Sequence, residues 1–261
     1  MEPAARPAKL ETMRVERFMS PGWLSNTWLV ADRPGGTGVL IDAGGPFEPV
    51  AARIAELGLE VTHLLLTHHH VDHVAHAQAC GQRFGCALCG GAPEGELFAG
   101  AGLALERPLA HGDEFETGGL RIRALWTPGH TRGQFAYLLN DAHVFTGDTL
   151  FRGSVGGTRA AGHGRFEELR ESLLGTLLAL PPETEVHPGH MESTTIGREA
   201  EHNPFLRAFR GEGLPAERQV RAYGHPASVL LEAPDYDGGT KAWVRFLDDG
   251  ELAVVPGSRL V

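Results

Sequence analysis

"LTHHHVDH", residues 66–73, sets four histidines and an aspartate in eight positions, directly behind the apolar run of "VTHLLL". A short apolar run of that kind reads as a buried strand, so the histidines fall where a strand ends. His68 and His70 are two apart, which turns both side chains to the same side of an extended chain, while His69 between them points elsewhere. Asp72 and His73 follow as the chain enters the helical pattern "VDHVAHAQACGQRFG" (71–85), which closes on a glycine. Imidazoles mixed with carboxylates suit zinc, iron or manganese better than an all-oxygen calcium cage.

Three later loops carry the same residue types at the ends of strand-like runs. "TPGHTRG" holds His130, "FTGDTLF" holds Asp148 and "HPGHMES" holds His190, each beside glycine or small residues that let the backbone pass close to a neighbour. Together with His68, His70, Asp72 and His73 they make five histidines and two aspartates. That is too many for one tetrahedral ion and about the number for two ions sharing a carboxylate. Thr67, Asp42 and Thr149 are possible supports for these side chains, or make ordinary strand-end hydrogen bonds.

The intervening chain alternates strand and helix patterns. Strand-like runs lie at 26–31, 37–45, 61–68, 120–130 and 134–148, the last turning at "ND"; helical spacing marks 48–58, ending on Gly58, and 164–180. "TEVHPGH" (184–190) returns to a short strand and a loop. Strand-rich blocks each followed by helices predict a mixed α/β layer architecture, with the chemistry on the loops where strands end.

The ordered set H-x-H-x-D-H, G-H, G-D and P-G-H resembles the metallo-β-lactamase-fold hydrolases, in particular the glyoxalase II-like (hydroxyacylglutathione hydrolase-like) branch. The likeness extends through "GDTLFRGSVG", "RFEELRESLLGTLLALP" and "HPGHMESTTIGREAEHNPF" and covers roughly residues 14–209. It implies a four-layer αβ/βα sandwich with two divalent metal ions, zinc first and iron or manganese as alternatives. By position, His68, His70 and His130 would hold one ion, Asp72, His73 and His190 the other, and Asp148 would bridge them. The resemblance implies hydrolysis of a small-molecule thioester or ester by a hydroxide shared between the ions, with Asp72 passing a proton to the leaving group.

Departures from that branch bear on the substrate. Glyoxalase II carries a lysine/tyrosine pair after its G-D motif and a helical C-terminal region that recognise glutathione, whereas the segment after Asp148, "TLFRGSVGGTRAAGHGRF", has neither lysine nor tyrosine. Arg159 in that segment is a solvated loop residue or a contact for a substrate anion. The alternatives on the same fold are a lactone or ester hydrolase, and a mononuclear iron persulfide dioxygenase using His68, His130 and Asp148. A binding protein with a vestigial metal centre is a third class, against which the intact set of ligands argues.

The 261 residues, 42% hydrophobic and 21% charged, fit one large domain with a small appendage. A formal charge of −10 weighs against a nucleic-acid or acidic-membrane surface. No apolar run approaches the ~20 residues of a membrane span, and "MEPAARPAKLETMRVE" has no apolar core of a secretory signal, so a cytoplasmic protein is expected. Cys80, Cys86 and Cys89 include one C-x-x-C without a second pair, which predicts packed, reduced thiols rather than a zinc ribbon or a disulfide framework.

After about Arg210 the texture changes. "AWVRFL" and "ELAVV" alternate around "DDG", a hairpin signal. The expected organisation is a catalytic domain over 1–210 and a small SH3- or Tudor-like β-module over 217–261 that leans on it. Tyr236, Trp243 and Phe246 are expected to fill that module's core. Trp23 and Phe151 either line a pocket or pack. His63, His76, His111, His143, His163, His187, His202 and His225 sit in no ligand-type motif and are expected at the surface or in packing.

Overall fold

The computed structural model describes residues 13–261; the stretch inspected for a leader, and the start of the 1–210 unit, lie largely outside the described residues. Two six-stranded sheets form the centre. The first contains β1 (Arg14–Met19), β2 (Asn26–Ala31), β3 (Thr37–Ile41), β4 (Glu60–Leu66), β5 (Ala87–Gly91) and β6 (Arg107–Leu109), in that spatial order. Its early pairs are antiparallel, and β3 to β6 run parallel because helices carry the chain back across one face. Those helices are α1 (Phe47–Leu57), α2 (Val71–Val74), α3 (Ala77–Phe84) and α4 (Gly95–Gly100).

The second sheet contains β7 (Glu114–Thr117), β8 (Leu120–Trp126), β9 (Phe135–Leu139) and β10 (His143–Gly147). After the small hairpin of β11 (Leu150–Phe151) and β12 (Ser154–Val155), β13 (Glu185–Pro188) and β14 (Thr194–Thr195) complete it, in the order β14-β13-β10-β9-β8-β7. Its outer face is covered by α5 (Phe166–Glu171), which continues as a wider π-type coil to Leu177, and by α6 (Ile196–His202) and α7 (Pro204–Phe209).

Three apolar clusters stack through these layers. Trp28, Ile41 and Leu65 of the first sheet meet Ile122, Tyr137 and Phe145 of the second between the sheets. Val50, Ile54, Ala77 and Phe98 bury the outer face of the first sheet, and Phe166, Leu169, Leu173 and Phe205 that of the second. The result is the expected α/β four-layer sandwich. β2 in the first sheet and β9 in the second are covered on both faces, and both are buried at every position.

Most predicted elements are present, with instructive differences. α1 ends where Gly58 adopts φ 62°, the left-handed cap that glycine takes without steric cost. The loop Asn140–Asp141 turns with φ of 50° and 54°, as a tight hairpin between β9 and β10 requires. The predicted strand 37–45 stops at Ile41 because Asp42 swings to φ 56°. The predicted helix 71–85 is broken into α2 and α3. Its own bonds are diverted to the loop after β3: Ala43 N–H donates to His73 O at 2.7 Å, and His76 N–H to Ala43 O at 2.9 Å.

All three cysteines are buried and unpaired. Cys80 and Cys86 pack under the helices and Cys89 between the sheets. Burial pushes the Cys80 and Cys89 thiols up to about 12 and Cys86 to about 11, so they are inert packing groups at neutral pH.

Residues after Arg218 form a separate antiparallel sheet of β15 (Arg218–Ala222), β16 (His225–Pro234), β17 (Thr240–Phe246) and β18 (Leu252–Pro256). A short 3-10 turn, Gly257–Arg259, then returns the last residues to β15, where Arg221 and Val261 exchange backbone hydrogen bonds at 2.8 and 2.9 Å. Only Phe246 of the three expected aromatics joins this sheet's own core, with Ala222, Val229 and Val244. Trp243 instead lies between Phe166 and Phe209 of the large domain, at 5.3 and 5.2 Å between ring centroids. Tyr236 is drawn still further away, onto His190 and Phe151. The module is small, and the apolar surface offered by α5 and α7 outcompetes its own interior for the large rings.

Candidate metal centre

The loops at the ends of β4, β8, β10 and β13 converge at one rim of the sandwich. They bring His68, His70, Asp72, His73, His130, Asp148 and His190 into a single cluster. His68 Nε2 and His130 Nε2 each lie 3.0 Å from His70 Nδ1. Beside them, His73 Nε2 is 3.3 Å from His190 Nε2, and Asp72 Oδ2 is 3.4 Å from His190 and 3.6 Å from His73. Asp148 reaches both groups: Oδ1 is 3.3 Å from His73 Nε2, while Oδ2 is 3.5 Å from His130 and 3.4 Å from His190.

Four of the five rings have their tautomer fixed by what lies behind them. His130 Nδ1–H donates to Gly157 O and His70 Nε2–H to Ala161 O, each at 2.8 Å. His73 Nδ1–H donates to the Asp42 carboxylate at 2.8 Å. The Thr67 hydroxyl donates to Asp42 at 2.8 Å, so it accepts from His68 Nδ1–H at 3.0 Å. In every case the remaining nitrogen turns its lone pair inward. Lone pairs facing one another at 3.0 Å repel unless a cation sits between them. Ligands 2.0–2.1 Å from one tetrahedral ion would themselves lie about 3.3 Å apart, so the donor set fits metal ions by spacing as well as by chemistry. Each of the triplets His68/His70/His130, His68/His73/Asp148 and Asp72/His73/His190 has its ligand atoms within 4.8 Å of one another.

Electrostatics points the same way. Burial opposes the charge on Asp148, but the imidazoles of His190 and His73 outweigh it and hold the carboxyl well below its usual range. Burial also lowers His73, yet Asp148 and Asp42 outweigh it and raise that ring well above the ordinary value. A positive charge is therefore favoured between His73 and Asp148. His68 and His130 are driven down by burial, His130 to about 3, which keeps them neutral and able to ligate.

The glycines beside these ligands have a concrete purpose. A Cβ on Gly189 would stand 2.3 Å from Asp148 Oδ1 and 2.7 Å from His73 Cε1, inside the cluster itself. Of the expected supports, Asp42 and Thr67 touch the ligands. Thr149 does not: it bonds Gln134 at 2.6 Å and Thr127 at 3.2 Å, within the loop layer beneath. His69 turns away to the buried Glu94, 2.6 Å from its Nδ1, and the other oxygen of Glu94 accepts from Gly133 N–H.

A family model described as "Metallo-beta-lactamase superfamily" matches residues 20–190. The chain belongs to the metallo-beta-lactamase superfamily. Hydroxyacylglutathione hydrolase of Acidiphilium cryptum is 35% identical over 204 residues, covering 76% of this chain and 77% of that protein. Among solved structures, TTHA1623 in a di-iron-bound form is 37% identical with a TM-score of 0.61, covering 72% of this chain and 98% of that one. ETHE1 from Myxococcus xanthus is 32% identical with a TM-score of 0.65, covering 78% of this chain and 92% of that one. The hydroxyacylglutathione hydrolase relative supports a glyoxalase II-like branch of the superfamily. The family match stops before β15, so the C-terminal sheet lies beyond it.

Several residues around the centre escaped the reading of the sequence. Glu94 stands in none of the motifs read along the chain, yet it is buried behind His69. Tyr236 and Lys241 stand far along the chain with no motif around them. Arg159 is half-buried and paired: its Nη2 lies 2.6 Å from Glu251, its guanidinium sits over the Phe246 ring at 4.7 Å, and it borders the pocket beside His130 and Asp148. Phe151 is buried and lines the pocket beside His130 and Asp148, whereas Trp23 is exposed. His143 and His187 come together at the far end of β10 and β13, 3.1 Å apart with Glu185 alongside. Among the described residues, no helix is long and apolar enough to cross a membrane.

Proposed function

We propose that this chain is a binuclear metallohydrolase that cleaves a small-molecule thioester. The observation that carries this reading is the pair of three-ligand groups joined through one carboxylate, Asp148. His68, His70 and His130 would hold the first divalent ion, and Asp72, His73 and His190 the second. Two such ions, when bound, acidify water and polarise a carbonyl. Zinc is the first choice and iron or manganese the alternatives.

The chain's own residues supply the rest. Asp42, held by Thr67, locks the His73 tautomer. Asp72 is the more exposed of the two carboxylates, at 23% against 8% for Asp148, and is the group able to carry the proton lost by the attacking water to the departing thiolate as water's oxygen replaces sulfur on the acyl carbon. The relatives named for hydroxyacylglutathione support a thioester; the glutathione moiety is left to the test. The reading also divides the chain into a catalytic unit over 1–210 and a module over 217–261. The return of Val261 to β15 after a 3-10 turn supports an SH3- or Tudor-like closure of that module.

Elemental analysis of protein purified without added metal or chelator is expected to find close to two ions per chain, with thiol release from a panel of acyl thioesters. One iron per chain, with persulfide-dependent oxygen uptake and no thioester cleavage, would replace this reading by the dioxygenase. Asp42→Ala is expected to weaken metal affinity by about 10–100-fold, the usual cost of losing a carboxylate behind a ligating histidine. Competition against a chromogenic chelator measures it, and an unchanged affinity would remove Asp42 from the site's support.

A further inference from the structure

Four ligand-type histidines are oriented by a protein hydrogen bond, and the fifth is not. His190 Nδ1 is buried with no hydrogen-bond partner among the described residues. Its ring is instead covered by Tyr236, face to face at 4.5 Å between centroids and 18° between planes. Tyr236 also meets the Phe151 ring edge-on at 4.7 Å. It belongs to the turn between β16 and β17, in the part of the chain that the family match does not reach.

That turn is fastened to the catalytic domain. The buried Lys241 ammonium donates to Val155 O at 2.7 Å and pairs with Asp235 at 3.0 Å. Asp235 in turn accepts from Ser154 Oγ at 2.7 Å. Further along, Thr158 N–H donates to Val254 O and Val254 N–H to Thr158 Oγ1, at 2.8 and 3.0 Å. The loop 154–159 that borders the metal cluster is thus held by the C-terminal sheet along most of its length.

Between them lies a pocket of about 210 Å³ that opens onto His130 and Asp148. Seven of its thirteen lining residues come from the C-terminal module, three from its strands and four from its turns. Phe151, Tyr236, Tyr223, Val254 and Pro256 give it one aromatic and apolar wall, and the rest of its lining includes the charged Arg159, Asp235, Asp237 and Lys241. It is small against the ~300–1,000 Å³ of a pocket for a drug-sized ligand.

We infer that the C-terminal module is a structural part of the active site: Tyr236 positions His190 by stacking, and the same ring sets the size limit of a subsite for a compact acyl group. The inference rests on the thioester reading for its substrate, but not for the orientation of His190. A flat ring on a flat ring restricts rotation about the His190 side chain where no hydrogen bond does. The aromatic wall beside His130 and Asp148 packs against the acyl group, and the small volume between it and the charged lining favours a compact one.

Tyr236→Phe keeps the ring, while Tyr236→Leu and Tyr236→Met keep apolar bulk without it; using both guards against one that folds poorly. The first readout is the rate at which a chromogenic chelator extracts metal from the loaded protein. Removing the ring is expected to speed extraction of one ion by about tenfold or more, with Tyr236→Phe at the wild-type rate. The second is kcat/KM along a series of acyl thioesters from acetyl to decanoyl. The wild type and Tyr236→Phe are expected to favour the short members, and the Leu and Met variants to lose at least tenfold of that preference through KM. Unchanged extraction together with an unchanged chain-length profile, whatever happens to Tm, would overturn the inference and leave Tyr236 as packing. If the wild type cleaves no member of the series, the thioester reading fails, and the extraction rates alone decide whether Tyr236 positions His190.

Discussion

Replacing Asp148 by asparagine is expected to lower kcat/KM by about 10³-fold or more, on the scale of losing a principal electrostatic contact in a reacting site, and to leave the protein short of one metal ion. The carboxylate is the one group within 3.5 Å of ring nitrogens from both ligand groups. It is buried, and only the neighbouring imidazoles keep it ionised. Asparagine preserves shape but removes the charge, so the two groups lose their shared anion while the fold keeps its packing. Metal content, circular dichroism and thiol release on one preparation separate these effects. Activity within tenfold of wild type, with two ions retained, would show that Asp148 is not the shared ligand.

Lys241→Met is expected to destabilise the protein by about 3–5 kcal/mol, the usual consequence of leaving one member of a buried ion pair uncompensated. Lys241 is 5% exposed and its ammonium bridges Val155 O and Asp235. Methionine fills the space of the stem but strands the Asp235 carboxylate beside the site. The double variant Lys241→Met/Asp235→Asn is expected to recover most of the loss, because neither charge then remains. Thermal or urea unfolding of the two singles and the double forms the cycle that isolates the pair. Additive losses would mean that the two side chains act independently, and that the C-terminal sheet is held by Trp243 and the backbone bonds instead.

How far these groups were legible in the chain depends on distance along it. His68, His70, Asp72 and His73 announce themselves because a strand end and the first turn of a helix put close neighbours in sequence close in space. His130, Asp148 and His190 are separated by long stretches, yet each sits in a short loop with its own glycine. Gly189 shows the reason: any larger residue would collide with Asp148 and His73. The break between α2 and α3 was not legible. Helical spacing across 71–85 is unbroken, and what interrupts it is an exchange of backbone hydrogen bonds with Ala43, some thirty residues earlier. Which of its two expected roles Thr149 takes was settled in the same way, since its hydroxyl bonds Gln134 and Thr127, which the fold brings beneath it.

The C-terminal residues mark the boundary most clearly. Alternation around "DDG" was enough to predict a small β-module over 217–261, because strand pairing is local and repeats every two residues. Where that sheet docks, and which of its aromatics serve its own core, depends on the apolar surface left open by α5 and α7 and on the loop 154–159. So the sequence by itself determined the mixed α/β layering, the loops that carry the clustered histidines and aspartates, and their order. Only the tertiary structure decided that Tyr236 faces His190, that Lys241 reaches Val155 and that Arg159 is tied to Glu251. The physical reason is that periodicity and turn chemistry act over a few residues, while packing and charge pairing join residues whose separation along the chain carries no pattern.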